Sequence, residues 1–279
     1  IPNNQASLSQ TMSIEPRDFN IDLLNYSIQP KSFEIKDNDG NKQKMSYISI
    51  VLQYDGQSEF YIRAPKMFSF GIKRSTFGGK PKYSTSFVLK DKEGATPEQQ
   101  ELQTLIEKIV DKTKKWMISH KSDLKAPSLA ENMLEGLSPI YIKRDEATGQ
   151  PVEGAIPSLN CNLKQKGDNI LTDYYEDNTH EESNEDKPIN PMTLISTATE
   201  KRFYTMIEGA ITLPDVYFAK GKAPKLHCTL EEAVIESKHE RTSRLTGKGG
   251  KRKALFTPTT VSSDVSNTDE KDESDDEST

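Results

Sequence analysis

From Thr96 to Met117 the chain carries its one long helical period, and strand-like runs lie on both sides of it. Thr96 is a candidate N-cap, and Pro97 stands at the first helical position, where its missing N–H costs nothing. Leu102, Leu105, Ile106, Ile109, Val110, Thr113, Trp116 and Met117 keep the i, i+3, i+4 spacing of one buried face. Lys112, Lys114 and Lys115 suit the negative end of the helix dipole. A second, short helix is predicted near 129–135, stopped by Gly136.

Strand signals fill the chain before this helix. Ser32 to Lys36 is predicted as a short strand, and the residues at 37–41 (Asp-Asn-Asp-Gly-Asn) as a turn. Lys44 to Tyr54 follows, with Ile48, Ile50 and Leu52 on one face. Asp55-Gly56 signals a hairpin, with Glu59 to Ala64 as its return strand. In the run 83–89, Tyr83, Thr85, Phe87 and Leu89 alternate with Ser84, Ser86 and Val88. After the helix, strands are predicted at 139–143, 158–163, 201–213, 216–219 and 225–235, the last with Leu226, Cys228 and Leu230 on one face. Strands, helix, strands is an α+β, β-rich order. It predicts a Greek-key barrel with an inserted helical element rather than alternating βαβ units.

The chain is too polar to bury all of itself. Of its 279 residues 33% are hydrophobic and 29% charged, with a mean hydropathy of -0.74. That composition predicts a core of roughly 180 to 200 residues with disordered acidic segments. Residues 1–16 are expected to be a flexible arm and 17–237 the core. Within the core, 173–188 is expected to be an acidic loop insert. A basic segment (238–256) and a disordered acidic tail (257–279) follow.

The net charge of -6 divides unevenly. Residues 173–186 carry seven acidic side chains and no Lys or Arg, and residues 258–279 carry eight and one Lys. Without those two stretches the chain has a net charge of +8. A basic body with acidic attachments differs physically from an evenly acidic protein.

Cys161 and Cys228 stand far apart with no CxxC spacing, which predicts two buried, reduced thiols in an intracellular compartment. No apolar run approaches the length of a membrane span, and no signal-peptide pattern opens the sequence, so no membrane partner is expected. Gly71 and Gly247 both fail the phosphate-loop spacing. GxSxG, HExxH and dinucleotide fingerprints are missing. His120, His180, His227 and His239 are scattered. No cofactor or metal is expected, and a non-enzymatic role is.

Residues 60–90 carry the functional expectation. They hold seven basic side chains, Arg63, Lys66, Lys73, Arg74, Lys80, Lys82 and Lys90, and no acidic one. They also hold seven aromatics: Phe60, Tyr61, Phe68, Phe70, Phe77, Tyr83 and Phe87. Single-stranded nucleic acid asks for this mixture, because cations follow the phosphates and flat rings stack on unpaired bases. Strand alternation sends about half of these rings inward, with Phe60, Ile62, Phe87 and Leu89 expected in the core. Gly71 to Tyr83 is expected to be a flexible, basic loop that clamps the strand. The expected contacts are Arg63, Lys66, Phe68, Phe70, Lys73, Arg74, Phe77, Lys80, Lys82 and Tyr83.

The run from Phe60 to Ile72 and the segment Lys80-Pro81-Lys82-Tyr83-Ser84 resemble motifs of a viral family. So do the runs 204–213, 215–218 and 225–234. That family is the single-stranded-DNA-binding proteins of nucleocytoplasmic large DNA viruses: African swine fever virus, iridoviruses and giant viruses. The resemblance covers about residues 30–240. It implies an OB-like fold and sequence-tolerant binding of single-stranded DNA. It also implies a role in viral DNA replication, repair or recombination, at a replication site in host cytoplasm or nucleus. By position it points to Arg63, Lys66, Phe68, Phe70 and Lys82. RNA as the ligand, and a protein-interaction scaffold built on the acidic segments, are the alternatives. The acidic tail could dock replication proteins. Oligomeric state is not legible.

Overall fold

A computed structural model describes residues 13–36, 42–77, 79–90, 94–177, 187–195, 203–219 and 221–240. All of these fall in one compact unit, Ile1–Arg241; the second unit, Thr242–Thr279, lies outside them. So do the arm at 1–12, the turn at 37–41, the acidic residues 178–186 and the acidic tail.

The core is built on two sheets with one long helix against them. Strands β1 (Leu24–Lys36) and β2 (Lys42–Tyr54) form a hairpin paired through thirteen residues. It belongs to a four-stranded sheet with β12 (Asp215–Phe218) and β13 (Lys225–Leu226). The short strand expected at 32–36 is therefore the end of a long one. The Asp55-Gly56 turn forms, with φ of 49° and 76°, but closes only the Tyr54–Gln57 bridge. Beyond it the chain leaves for the other sheet.

That other sheet closes on itself. β3 (Ile62–Phe77) pairs with β4 (Lys80–Val88), and β4 pairs with β6 (Ser158–Leu163). β6 meets β14 (Thr229–Glu240) in parallel, β14 pairs with β11 (Phe203–Thr212), and β11 returns to β3. Five strands in a Greek-key ring are the OB arrangement. The parallel seam is its narrowest contact, Thr229 against Asn162 and Leu230 against Leu163. Short strands extend the ring: β5 (Ile140–Tyr141) beside β6, and β9 (Asp173–Glu176) with β10 (Lys187–Pro188) beside β14. A two-stranded ribbon, β7 (Gln165–Lys166) and β8 (Asn169–Ile170), follows β6.

Two expectations change here. The acidic insert was expected to be loop from residue 173, yet residues 173–176 are strand. Tyr174 is buried at 2% exposure, while Asp173 and Glu176 are exposed. The arm expected to end at residue 16 is docked at its inner end, because Ile14 donates to the Tyr61 carbonyl and accepts from the Arg63 N–H.

Helix α1 (Pro97–Ser119) forms where its period places it, and its first turn carries a complete capping box between Thr96 and Gln99. Leu102, Ile106 and Ile109 are fully buried, each contributing about 1.5–3 kcal/mol. The Tyr26 hydroxyl meets the Thr113 hydroxyl at 3.0 Å, and the rings of Tyr26 and Trp116 stack at 4.9 Å, tying α1 to β1. The second helix is one 3-10 stretch, Glu131–Leu137, which buries Leu134 and Leu137. Gly209 lets β11 and β14 close, since a Cβ there would meet the Glu232 carbonyl oxygen at 2.6 Å.

Phe60, Ile62, Phe87 and Leu89 lie in the core as expected. So do both thiols, with Sγ atoms 3.2 Å apart. Burial pushes the Cys161 thiol up, which leaves little reactive thiolate.

Candidate nucleic-acid interface

The basic, Gly-rich segment 71–83 is not a loop. It is the paired arm of a hairpin, with β3 running to Phe77 and β4 starting at Lys80. Ile72 buried against Thr85 gives this stretch its inward anchor, and Gly71, at φ 78°, supplies a bulge between Ser69 and Ile72. The bulge is fastened from inside. The Ser69 and Thr85 hydroxyls lie 2.9 Å apart, the Thr85 hydroxyl donates to the Gly71 carbonyl, and the Gly71 N–H donates to Ser69 Oγ.

This bulge decides the geometry of the site. Met67 and Ser69 point inward and Phe68 and Phe70 outward. Continued strict alternation would then turn Lys73 inward. The extra residue resets the phase, so Ile72 is buried and Lys73 is exposed on the same face as Phe70. Phe70 is 42% exposed and Phe68 half-buried, and their rings meet edge to face with centroids 5.1 Å apart.

Across the ladder, Lys73 pairs with Ser84 and Ser84 with Asn162 on β6, giving a polar floor beside the rings. The Ser86 hydroxyl donates to Asn160 at 2.6 Å. Arg74, Lys80 and Lys82 are exposed toward the hairpin end. Lys82 is braced by Gln165, whose side chain accepts from the Tyr83 N–H at 3.1 Å and donates to the Pro81 carbonyl at 2.8 Å. Burial lowers the Lys82 pKa, and the nearby charge of Lys225 lowers it further. A phosphate placed there would relieve that repulsion.

One expected contact is corrected, and another is engaged by carboxylates. Tyr83 is 1% exposed: the parity that buries Phe87 buries it too, and its ring has no face for a base. Arg63 is exposed, but Glu15 and Glu208 grip its guanidinium, Glu15 Oε1 at 2.8 Å from one terminal nitrogen and Glu208 Oε1 at 2.6 Å from Nε. The hydrogen bonds it donates, first to Glu208 and then to Glu15, raise its pKa. The carboxylate-free stretch thus receives two carboxylates from elsewhere in the chain. Lys66 is exposed, and its carbonyl accepts from Gln99 at 3.4 Å. The Phe77 ring lies outside the described residues.

The outer face therefore joins Phe68, Phe70 and Lys73 with Lys80 and Lys82, while Arg74, opposite the buried Tyr83, lies on the other side of the hairpin. Sequence reasoning missed Ser84, Asn162, Gln165 and Lys225, which reach it from β4, β6, β7 and β13. Among the described residues no group of three or more His, Cys, Asp or Glu side chains could hold a metal ion, and no helix is long and apolar enough to cross a membrane.

Comparisons with known proteins add a weak structural likeness and a family. The crystal structure of gp2.5, a single-stranded DNA binding protein encoded by bacteriophage T7, is similar at a TM-score of 0.40 and 10% identity. The likeness covers 66% of this chain and 94% of that one. A likeness of that size fixes neither a shared fold nor a shared ligand. No curated protein matches the chain. The family model described as "Protein of unknown function (DUF2738)" matches residues 42–278, and the chain belongs to that family.

Proposed function

We propose that this protein binds single-stranded DNA, without catalysis, on the outer face of β3, β4 and β6. One observation carries the reading: the outward, edge-to-face pair Phe68–Phe70 shares its strand face with Lys73, and Lys80 and Lys82 stand on the same side of the paired strand toward the hairpin end. Bases stack on the rings and phosphates follow the lysines, so the binding tolerates any sequence. In a five-stranded OB ring the second and third strands and the first hairpin loop form the usual oligonucleotide surface, and here those are β4, β6 and the Phe77–Lys80 turn. The resemblance to the proteins of nucleocytoplasmic large DNA viruses extends the reading to protection or organisation of single strands during viral DNA replication, repair or recombination.

The test is a titration of labelled oligo-dT, the matching RNA and a duplex of equal length at several salt concentrations. The proposal expects oligo-dT to bind tightly, with a steep loss on added salt, and the duplex to bind far more weakly. Equal affinity for duplex and single strand contradicts it. Preference for the RNA would reassign the ligand, since the 2′-hydroxyl decides that choice.

A further inference from the structure

The other sheet presents a second set of rings. Tyr47 on β2 and Tyr217 on β12 lie with ring centroids 4.9 Å apart, and His227, just after β13, lies 6.3 Å from Tyr217. All three are half-buried. Register places Tyr217 opposite Lys225 on β13 and Tyr47 opposite Lys31 on β1. Lys225 also lies near enough to Lys82 of the β3–β4 hairpin for its charge to act there. Tyr47 also borders a groove of about 820 Å³ whose rim carries Lys31, Lys44, Lys125 and Lys222 against one carboxylate, Asp123.

One carboxylate does sit among the rings, and its charge is engaged. Asp215 binds His227 Nδ1 at 2.7 Å and also takes the Ser49 hydroxyl. Its side chain is 17% exposed. It fixes the imidazole beside Tyr217 rather than facing a phosphate. The segment between β11 and β14 that brings Tyr217, Lys225 and His227 here is the connection between the fourth and fifth strands of the ring, a second oligonucleotide-binding loop in OB proteins.

We propose that Tyr47, Tyr217 and His227 form a second base-stacking surface for the same single strand, which passes from Phe68 and Phe70 across Lys82 and Lys225 onto this sheet. The inference rests on the single-strand reading above. It makes the footprint longer than the barrel face alone supplies.

The experiment uses the full chain with oligo-dT of two lengths, about 8 and about 25 nucleotides, bracketing the span of one OB face. Tyr47→Ala with Tyr217→Ala should weaken the long oligonucleotide about tenfold and leave the short one within about twofold. A long oligo-dT carrying 5-iododeoxyuridine should photocrosslink to Tyr47 or Tyr217 in the unaltered protein, a readout that does not depend on the variant folding. Absence of those crosslinks together with unchanged long-oligonucleotide affinity in a folded variant would overturn the second surface alone. Failure of the unaltered protein to bind either length would instead overturn the single-strand reading.

Discussion

The hydroxyls of Ser69 and Thr85 meet at 2.9 Å inside the barrel, one on β3 and one on β4, and close a loop of hydrogen bonds with the Gly71 backbone. Both side chains are fully buried. They hold the bulge that puts Phe70 and Lys73 on one face. Thr85→Val keeps the shape but leaves the Ser69 O–H without its acceptor and the Gly71 carbonyl without the Thr85 hydroxyl. An unsatisfied buried group costs about 1–3 kcal/mol, so urea unfolding should show a loss of that order. Oligonucleotide affinity should fall as well, because the rings lose their fixed phase. Unchanged stability would mean that water or a shifted backbone replaces the bond.

Arg63 and Lys82 are both exposed cations of the same carboxylate-free stretch, but only Arg63 is gripped by two glutamates. Lys82→Ala should lower the salt dependence of single-strand binding by about one unit of slope. Glu208→Gln should do the reverse, tightening binding and raising the slope by about one unit as the arginine becomes available. The exposed ion pair itself is worth about 1 kcal/mol or less, so thermal stability should hardly change. A loss of affinity in Glu208→Gln would show that the glutamate positions Arg63 rather than neutralising it.

Asp215 makes the fold sensitive to acid in a defined direction. Burial pushes its carboxyl up, but the hydrogen bonds from His227 and Ser49 outweigh burial and hold it below the ordinary value of 3.8. A carboxyl whose folded-state pKa is depressed adds stability above its unfolded pKa and loses it as pH falls through the folded one. Its contribution should therefore be complete above about pH 4 and fade below. Asp215→Asn should flatten the acid limb of unfolding free energy against pH. The same slope in the variant and the unaltered protein would contradict this.

Much of this architecture is legible in local chemistry. The 96–117 period, its capping residues and the alternation of Ile48, Ile50 and Leu52 all act over a few residues, and the elements form where they point. Tyr83 was legible too, since it shares parity with Phe87. The Gly71–Phe77 strand was hidden because glycine and lysine suggest a loop, while its anchors are Ser69 just before it on β3 and Thr85 across the hairpin. The grip on Arg63 comes from Glu15 and Glu208, 48 and 145 residues away, and Lys225 reaches Lys82 from the far end of the chain. Only the tertiary fold brings those groups together, and no local pattern encodes it.

The most direct measurement is the affinity of the Phe68→Ala, Phe70→Ala double variant for oligo-dT, with its unfolding followed in parallel. Each stacked base is worth roughly 1–3 kcal/mol, so affinity should fall at least about tenfold while the salt slope stays as it was, because no cation has been removed. Both rings lie outside the buried core, and the thermal midpoint should change little. A folded double variant that binds oligo-dT as tightly as the unaltered protein would contradict the claim that these two rings carry the strand.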